Sequence, residues 1–248
     1  MTPLRRFVLA LQFLTVITLW PGVRPQGRDL AGSMIYYPVV GLTLGGLYCL
    51  ARWLFSCWPP LLADALLVGL MVVLTRGLHL DGLADAADGL VGGQTREKAL
   101  QIMKDSATGP FGAMAIALVL LVKWAALLAI YPGLKTQALL LAPISARVAM
   151  VLLCYKSPYA RVEPGLASPF VAELGALEAL AAGLIGLGLG VVFFGLRGGL
   201  IILGAAALAG LSRLYLIRRL GGITGDSIGA LGELSEMGVL LAVASQAG

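Results

Sequence analysis

LLADALLVGLMVVLTRGL, residues 61–78, runs directly into HLDGLADAADG, residues 79–89. The first stretch has the length and apolarity of a membrane span. The second places Asp81, Asp85 and Asp88 at i, i+4 and i+7, along one face of a helix. Of the 13 acidic residues in the chain, three crowd here. Carboxylates held this close repel one another, and a shared divalent cation relieves that repulsion. The plainer alternative is a solvated acidic first turn of a surface helix.

Composition points outward to a membrane. Hydrophobic residues make up 59% of the 248 and charged ones 12%, against about 25% charged in an average soluble domain. Mean hydropathy is +0.92. The net charge of +5 is scattered between apolar runs, not gathered into a stripe, which argues against a nucleic-acid partner. Cys49, Cys57 and Cys154 have neither disulfide-scaffold nor zinc-site spacing.

On either side of the opening stretch the chain reads as spans and short polar connections. Arg5 and Arg6 precede an apolar run, Phe7–Trp20, with no small-residue cleavage site behind it, so it reads as a retained segment: re-entrant, interfacial or a tilted span. Further spans are expected over about 34–55, 109–130, 139–154, 174–196 and 200–217, with a last short apolar segment over 231–244. Gly41, Gly45 and Gly46 in the first of these would let a neighbouring helix approach closely. Residues 94–108 carry Ala99, Ile102 and Met103 at helical spacing and read as a surface amphipathic helix. The expectation is one all-α domain over 1–248: a polytopic transmembrane helical bundle of six to seven spans in a lipid bilayer. If the span over 34–55 starts inside, the connections 21–33, 79–108, 155–172 and 213–230 face the cytoplasm and hold most Lys and Arg. Only Arg52, Lys135 and Arg197 oppose them, with Lys123 near its membrane exit, which is the positive-inside pattern.

That topology gathers the aspartates, the 155–169 connection and GGITGDSIGA (221–230) on one side. Asp81, Asp85 and Asp88 are the leading metal ligands, with Asp105, Asp226, Glu233 and Glu236 as further oxygens. Hard oxygen donors suit magnesium or manganese better than zinc. His79 either caps the preceding span or orients a carboxylate. Arg147, in mid-span, is either in an internal salt bridge or reaches phosphate oxygens. Lys104, Lys156, Arg161, Arg218 and Arg219 could neutralise a pyrophosphate, and Thr224, Asp226 and Ser227 could contact an anion in a glycine-rich loop that lacks the nucleotide P-loop pattern. The residues alone imply a divalent-cation-dependent membrane protein acting on a phosphorylated substrate.

Four motifs add a resemblance. HLDGLADAADG, IMKDSATGPFG (102–112), YKSPYAR (155–161) and GGITGDSIGA with Glu233, together with FLT (13–15) and YPVVG (37–41), closely resemble the cobalamin-5'-phosphate synthase, or adenosylcobinamide-GDP ribazoletransferase, family. The resemblance implies a polytopic, magnesium-dependent enzyme of the bacterial inner membrane or an archaeal membrane, with its active face cytoplasmic. Such an enzyme joins adenosylcobinamide-GDP to alpha-ribazole or its 5'-phosphate, releasing GMP. It further implies Asp81, Asp85, Asp88 and Asp226 as catalytic and metal-holding residues, joined by Glu233 as a ligand, with Asp88 as a proton acceptor. Lys104, Arg147, Arg161 and Thr224 would contact substrate phosphate, and the corrin would lie toward the membrane. The chain departs from the family at FLTVITLW (13–20), where an arginine commonly follows; Arg24 or Arg28 would then substitute. CDP-alcohol phosphotransferases share the metal-assisted chemistry but not this aspartate spacing. A cation-coupled transporter predicts carboxylates buried near mid-membrane and internal repeats. Small-residue faces would also allow two subunits to associate.

Overall fold

Pro3, Pro38, Pro60, Pro110 and Pro169 each stand in the first turn of a helix, where the fixed φ is already helical and the missing N–H has no partner to lose. The computed structural model describes residues 2–22, 25 and 27–247. In order the helices are α1 (Pro3–Leu14), α2 (Gly27–Ser33), α3 (Tyr37–Leu54), α4 (Pro60–Leu74), α5 (Leu78–Gly92), α6 (Arg96–Ile102), α7 (Pro110–Ala129), α8 (Lys135–Cys154), α9 (Ser168–Glu173), α10 (Ala176–Leu220) and α11 (Gly225–Ala244). Among the described residues there is no strand, only a bridge between Tyr159 and Ile223. The expected all-α bundle is what forms.

Five segments are long and apolar enough to cross a membrane: Gly27–Cys57, which contains α3, together with α7, Pro132–Cys154, α10 and α11. α10 is two arms: Phe194 and Gly195 leave helical geometry, Gly195 with φ 58°. The arms return on one another so closely that a Cβ on Gly190 would meet the Gly198 carbonyl oxygen at 2.8 Å. Counting both arms brings the structure to the expected number of crossings. α4 and α5 pass as a sixth span only if taken together, yet the chain bends by 87° between them. Arg76 and Gly77, at φ 55° and 65°, make that bend, a backbone region glycine enters freely and arginine only at some cost. The expected span over 61–78 therefore stops at Leu74. α4 runs beside α3 and α7, while α5, which does not pass as a span by itself, packs on α6, α7 and α11.

α8 is the axis. Sixteen of its 20 residues are buried, and it packs on α3, α10 and α11. Pro143 leaves the Leu139 carbonyl without its usual i+4 donor. α3 comes in at this level: a Cβ on Gly45 would sit 2.8 Å from that oxygen, and one on Gly41 2.6 Å from the Pro143 oxygen. Gly46 faces open space. The outer helices α7 and α10 turn mostly exposed apolar residues outward, as lipid contact requires.

α1 settles the question about the first apolar run. Twelve residues reach about 18 Å, too short for a hydrocarbon core of about 30 Å. One face, Leu9, Ala10, Leu11 and Leu14, is buried, and Leu4 is exposed, so α1 is a flanking helix, with Gln12 and Phe13 sharing a groove with Leu80 and Asp81 of α5. Arg24 lies outside the described residues, and Arg28 is exposed on α2. The amphipathic helix expected over 94–108 is α6, capped by Thr95, whose hydroxyl accepts from the Lys98 N–H at 3.2 Å, with Ala99 and Met103 buried. The last span begins at Gly225 rather than 231.

Candidate active site

Small residues decide how α5 seats. A Cβ on Gly82 would come within 2.9 Å of the Asp226 backbone, and one on Gly229 within 3.1 Å of His79. α5 and the first turns of α11 therefore touch backbone to backbone, bringing Asp81 and Asp85 up to Asp226. Asp85, on the half-exposed face, is pushed up to about 6, first by burial and then by the negative charges of Asp226 and Asp81, against which Arg161 acts. A set of hard oxygens with this much unrelieved repulsion fits a divalent cation. Among the described residues no group of three or more His, Cys, Asp or Glu side chains is arranged to hold a metal ion; the repulsion among Asp81, Asp85 and Asp226 is what such an ion would relieve.

Arg161 reaches the cluster from the connection after α8. Its Nη2 donates to Asp226 Oδ2 at 2.5 Å and to the Met103 carbonyl at 2.9 Å, while Nε has no partner among the described residues. A guanidinium anchored at one edge can present the other to a phosphate. Arg161, Asp81 and Asp226 line a chamber of 260 Å³ whose remaining wall is largely apolar and aromatic. Phe13 and Asp81 also line an open groove of 650 Å³ beside it.

The structure redirects other expected site residues. Asp88 is buried and accepts from the N–H groups of Gly109 at 2.7 Å and Gly112 at 2.9 Å. It caps the start of α7, so both oxygens are engaged and proton acceptance does not suit it. Thr224 is fully buried and caps α11, its hydroxyl accepting from the Ser227 N–H at 3.2 Å while Ser227 reciprocates; it anchors the helix that carries Asp226 instead of meeting phosphate. Lys104 is exposed on Glu163 at 2.5 Å. Arg219 donates to the Gly93 carbonyl and Arg213 to that of Lys156.

Glu233 and Arg147 belong elsewhere. Lys123, 2% exposed, donates to Glu233 at 2.6 Å and Glu236 at 2.8 Å, and Arg147, 0% exposed, pairs with Glu236. This is a charge network inside the bundle. Lys123 thus faces the bundle interior, Arg147 takes the salt-bridge alternative, and Glu233 is committed to a lysine rather than to metal. Asp64 and Lys135 form a second buried pair at 2.7 Å. Acids do occur among the spans, contrary to the expectation that they gather at one boundary, and the three named here each have a cationic partner.

The rest of the chamber wall carries no chemical motif of its own in the sequence. Tyr37, Cys154 and Phe170 line it; Phe13 and Tyr37 lie inside the FLT and YPVVG stretches, which was the available signal.

The family model described as cobalamin-5-phosphate synthase matches residues 6–244. The chain belongs to that family. Among its relatives, the adenosylcobinamide-GDP ribazoletransferase of Syntrophobacter fumaroxidans is 46% identical over 245 residues, covering 96% of this chain and 97% of that one. Those of Stutzerimonas stutzeri, 41% identical over 97% and 98% of the two chains, and Pseudomonas putida, 44% over 96% and 98%, carry the same name. No solved structure matches the chain. In this family member, the GGITGDSIGA and YKSPYAR motifs meet in space through Asp226 and Arg161.

Proposed function

We propose that this protein is a magnesium-dependent adenosylcobinamide-GDP ribazoletransferase acting from the cytoplasmic face of a bacterial inner membrane or an archaeal membrane. The observation that carries the reading is a full-length family match whose acidic motifs converge with one arginine on a single chamber. Magnesium, when bound by Asp81, Asp85 and Asp226, supplies positive charge to the pyrophosphate in the transition state. Arg161 orients the phosphate that stays with the cobinamide. A ribose hydroxyl of alpha-ribazole, or of its 5'-phosphate, attacks that phosphorus; the new O–P bond forms as the bond to GMP breaks, and the hydroxyl proton passes to a carboxylate oxygen of the cluster. Asp88 and Thr224 hold α7 and α11 in place around these groups. The basic residues at the site end of the bundle support its cytoplasmic orientation.

The test is GMP release by the detergent-held protein given adenosylcobinamide-GDP and alpha-ribazole, with and without magnesium, beside Asp85→Asn. Several kcal/mol of charge stabilisation corresponds to a loss of about a hundredfold or more, with the fold intact. Magnesium-independent turnover, or a folded Asp85→Asn protein with unchanged rate, would remove the cluster from the mechanism.

A further inference from the structure

The chamber and the groove differ in kind, although they meet. The chamber, at 260 Å³, falls just below the usual range of ligand clefts, about 300 to 1,000 Å³. Its deep wall is built from Tyr37, Met150, Cys154 and Phe170, all buried. Phe13 and Phe170 stand with ring centroids 4.6 Å apart, and Tyr37 and Phe170 6.4 Å apart. His79, 3% exposed, lines the same chamber, and its Nε2 has no partner among the described residues. The groove is an open trough of 650 Å³ carrying Gln12, Arg76 and Ile116. Asp81 lines both spaces.

We infer that the chamber is the acceptor subsite, taking the flat heteroaromatic base of the ribazole, and that the groove takes the corrinoid side of the donor. This rests on the transferase reading above. Three physical points carry it. A two-ring aromatic base matches the chamber in size, whereas a corrin macrocycle does not enter it and fits only an open trough. Aromatic walls bind such a base by offset or edge contacts. The polar part of the lining, His79 with Arg161, Asp81 and Asp226, suits a ligand that carries a ring nitrogen and ribose hydroxyls. With the base seated, the ribose emerges at Arg161, Asp81 and Asp226, where the groove delivers the pyrophosphate. His79 is then a positioning residue, and Ala167, at the chamber wall, a determinant of which bases fit.

Two measurements test this on the full chain in detergent. In the first, alpha-ribazole binding to the wild-type protein is followed by the fluorescence of its base without magnesium, and unreactive adenosylcobinamide phosphate is added. Separate subsites predict that both remain bound; displacement of the ribazole overturns the assignment. In the second, Ala167→Phe, which fills the chamber from its wall, should raise KM for alpha-ribazole at least tenfold and leave KM for adenosylcobinamide-GDP within twofold. A rise confined to the corrinoid, or no change in a folded variant, overturns it as well. If Ala167→Phe does not fold, the competition measurement decides alone. Wild-type protein that releases no GMP from this pair sinks the transferase reading and the subsite with it, whereas normal turnover with the wrong KM shift sinks only the subsite.

Discussion

Replacing Glu236 by Gln should destabilise the bundle more than any substitution in the aspartate cluster. Glu236 is the one carboxylate in ion-pairing distance of Arg147 among the described residues, and it shares Lys123 with Glu233. Two cations face two anions; the substitution leaves Lys123 and Arg147, 2% and 0% exposed, with Glu233 alone. Stranding a buried charge in this way costs about 3–5 kcal/mol. For a chain of this size each kcal/mol lowers Tm by about 2–4 °C, so a fall of about 6–20 °C is expected. The assay is thermal unfolding in detergent, followed by tryptophan emission, for wild type, Glu236→Gln, Arg147→Met and the pair. Because the pair removes one charge of each sign and leaves Lys123 on Glu233, it should recover most of the loss. A Glu236→Gln protein melting within 2 °C of wild type would refute the network as a structural element, as would a double variant whose losses simply add.

Three further outcomes follow from other parts of the molecule. Asp85 is raised to about 6, so below that pH it keeps its proton and magnesium must displace it: apparent magnesium affinity by calorimetry should fall about tenfold per pH unit below 6 and level off above 7, and a flat profile from pH 5 to 8 would exclude Asp85 as a ligand. Thr224→Ala removes the α11 cap at a cost of about 1 kcal/mol, lowering Tm by about 2–4 °C; were its role phosphate contact instead, KM would move and Tm would not. Gly41→Leu places a side chain where a Cβ already meets Pro143 backbone at 2.6 Å, so folded yield measured by size-exclusion chromatography should collapse, while Gly46→Leu, facing open space, should fold as wild type does.

Hydropathy made the spans legible because an apolar run of this length has few other uses, and the i, i+4, i+7 aspartates marked the site because acids are scarce in this chain. Partners were not legible. Lys123 and Glu236 are 113 positions apart and Arg147 and Glu236 are 89, and no local pattern says which buried cation meets which acid. The bend between α4 and α5 was hidden for a different reason: Arg76 precedes Gly77 in the left-handed region, a conformation arginine gives no reason to expect. Asp88 and Thr224 looked like ligands because a capping residue and an anion-binding residue use the same oxygen chemistry; only the facing N–H groups of Gly109, Gly112 and Ser227 distinguish them.

The internal ion network has an electrical consequence. Lys123 and Arg147 set two basic side chains against the two acids Glu233 and Glu236, so a transmembrane voltage exerts no net pull on the balanced unit. A single uncompensated charge within the full field would feel about 2.3 kcal/mol per 100 mV. The bundle can thus hold strongly polar side chains in its interior without a net electrical load.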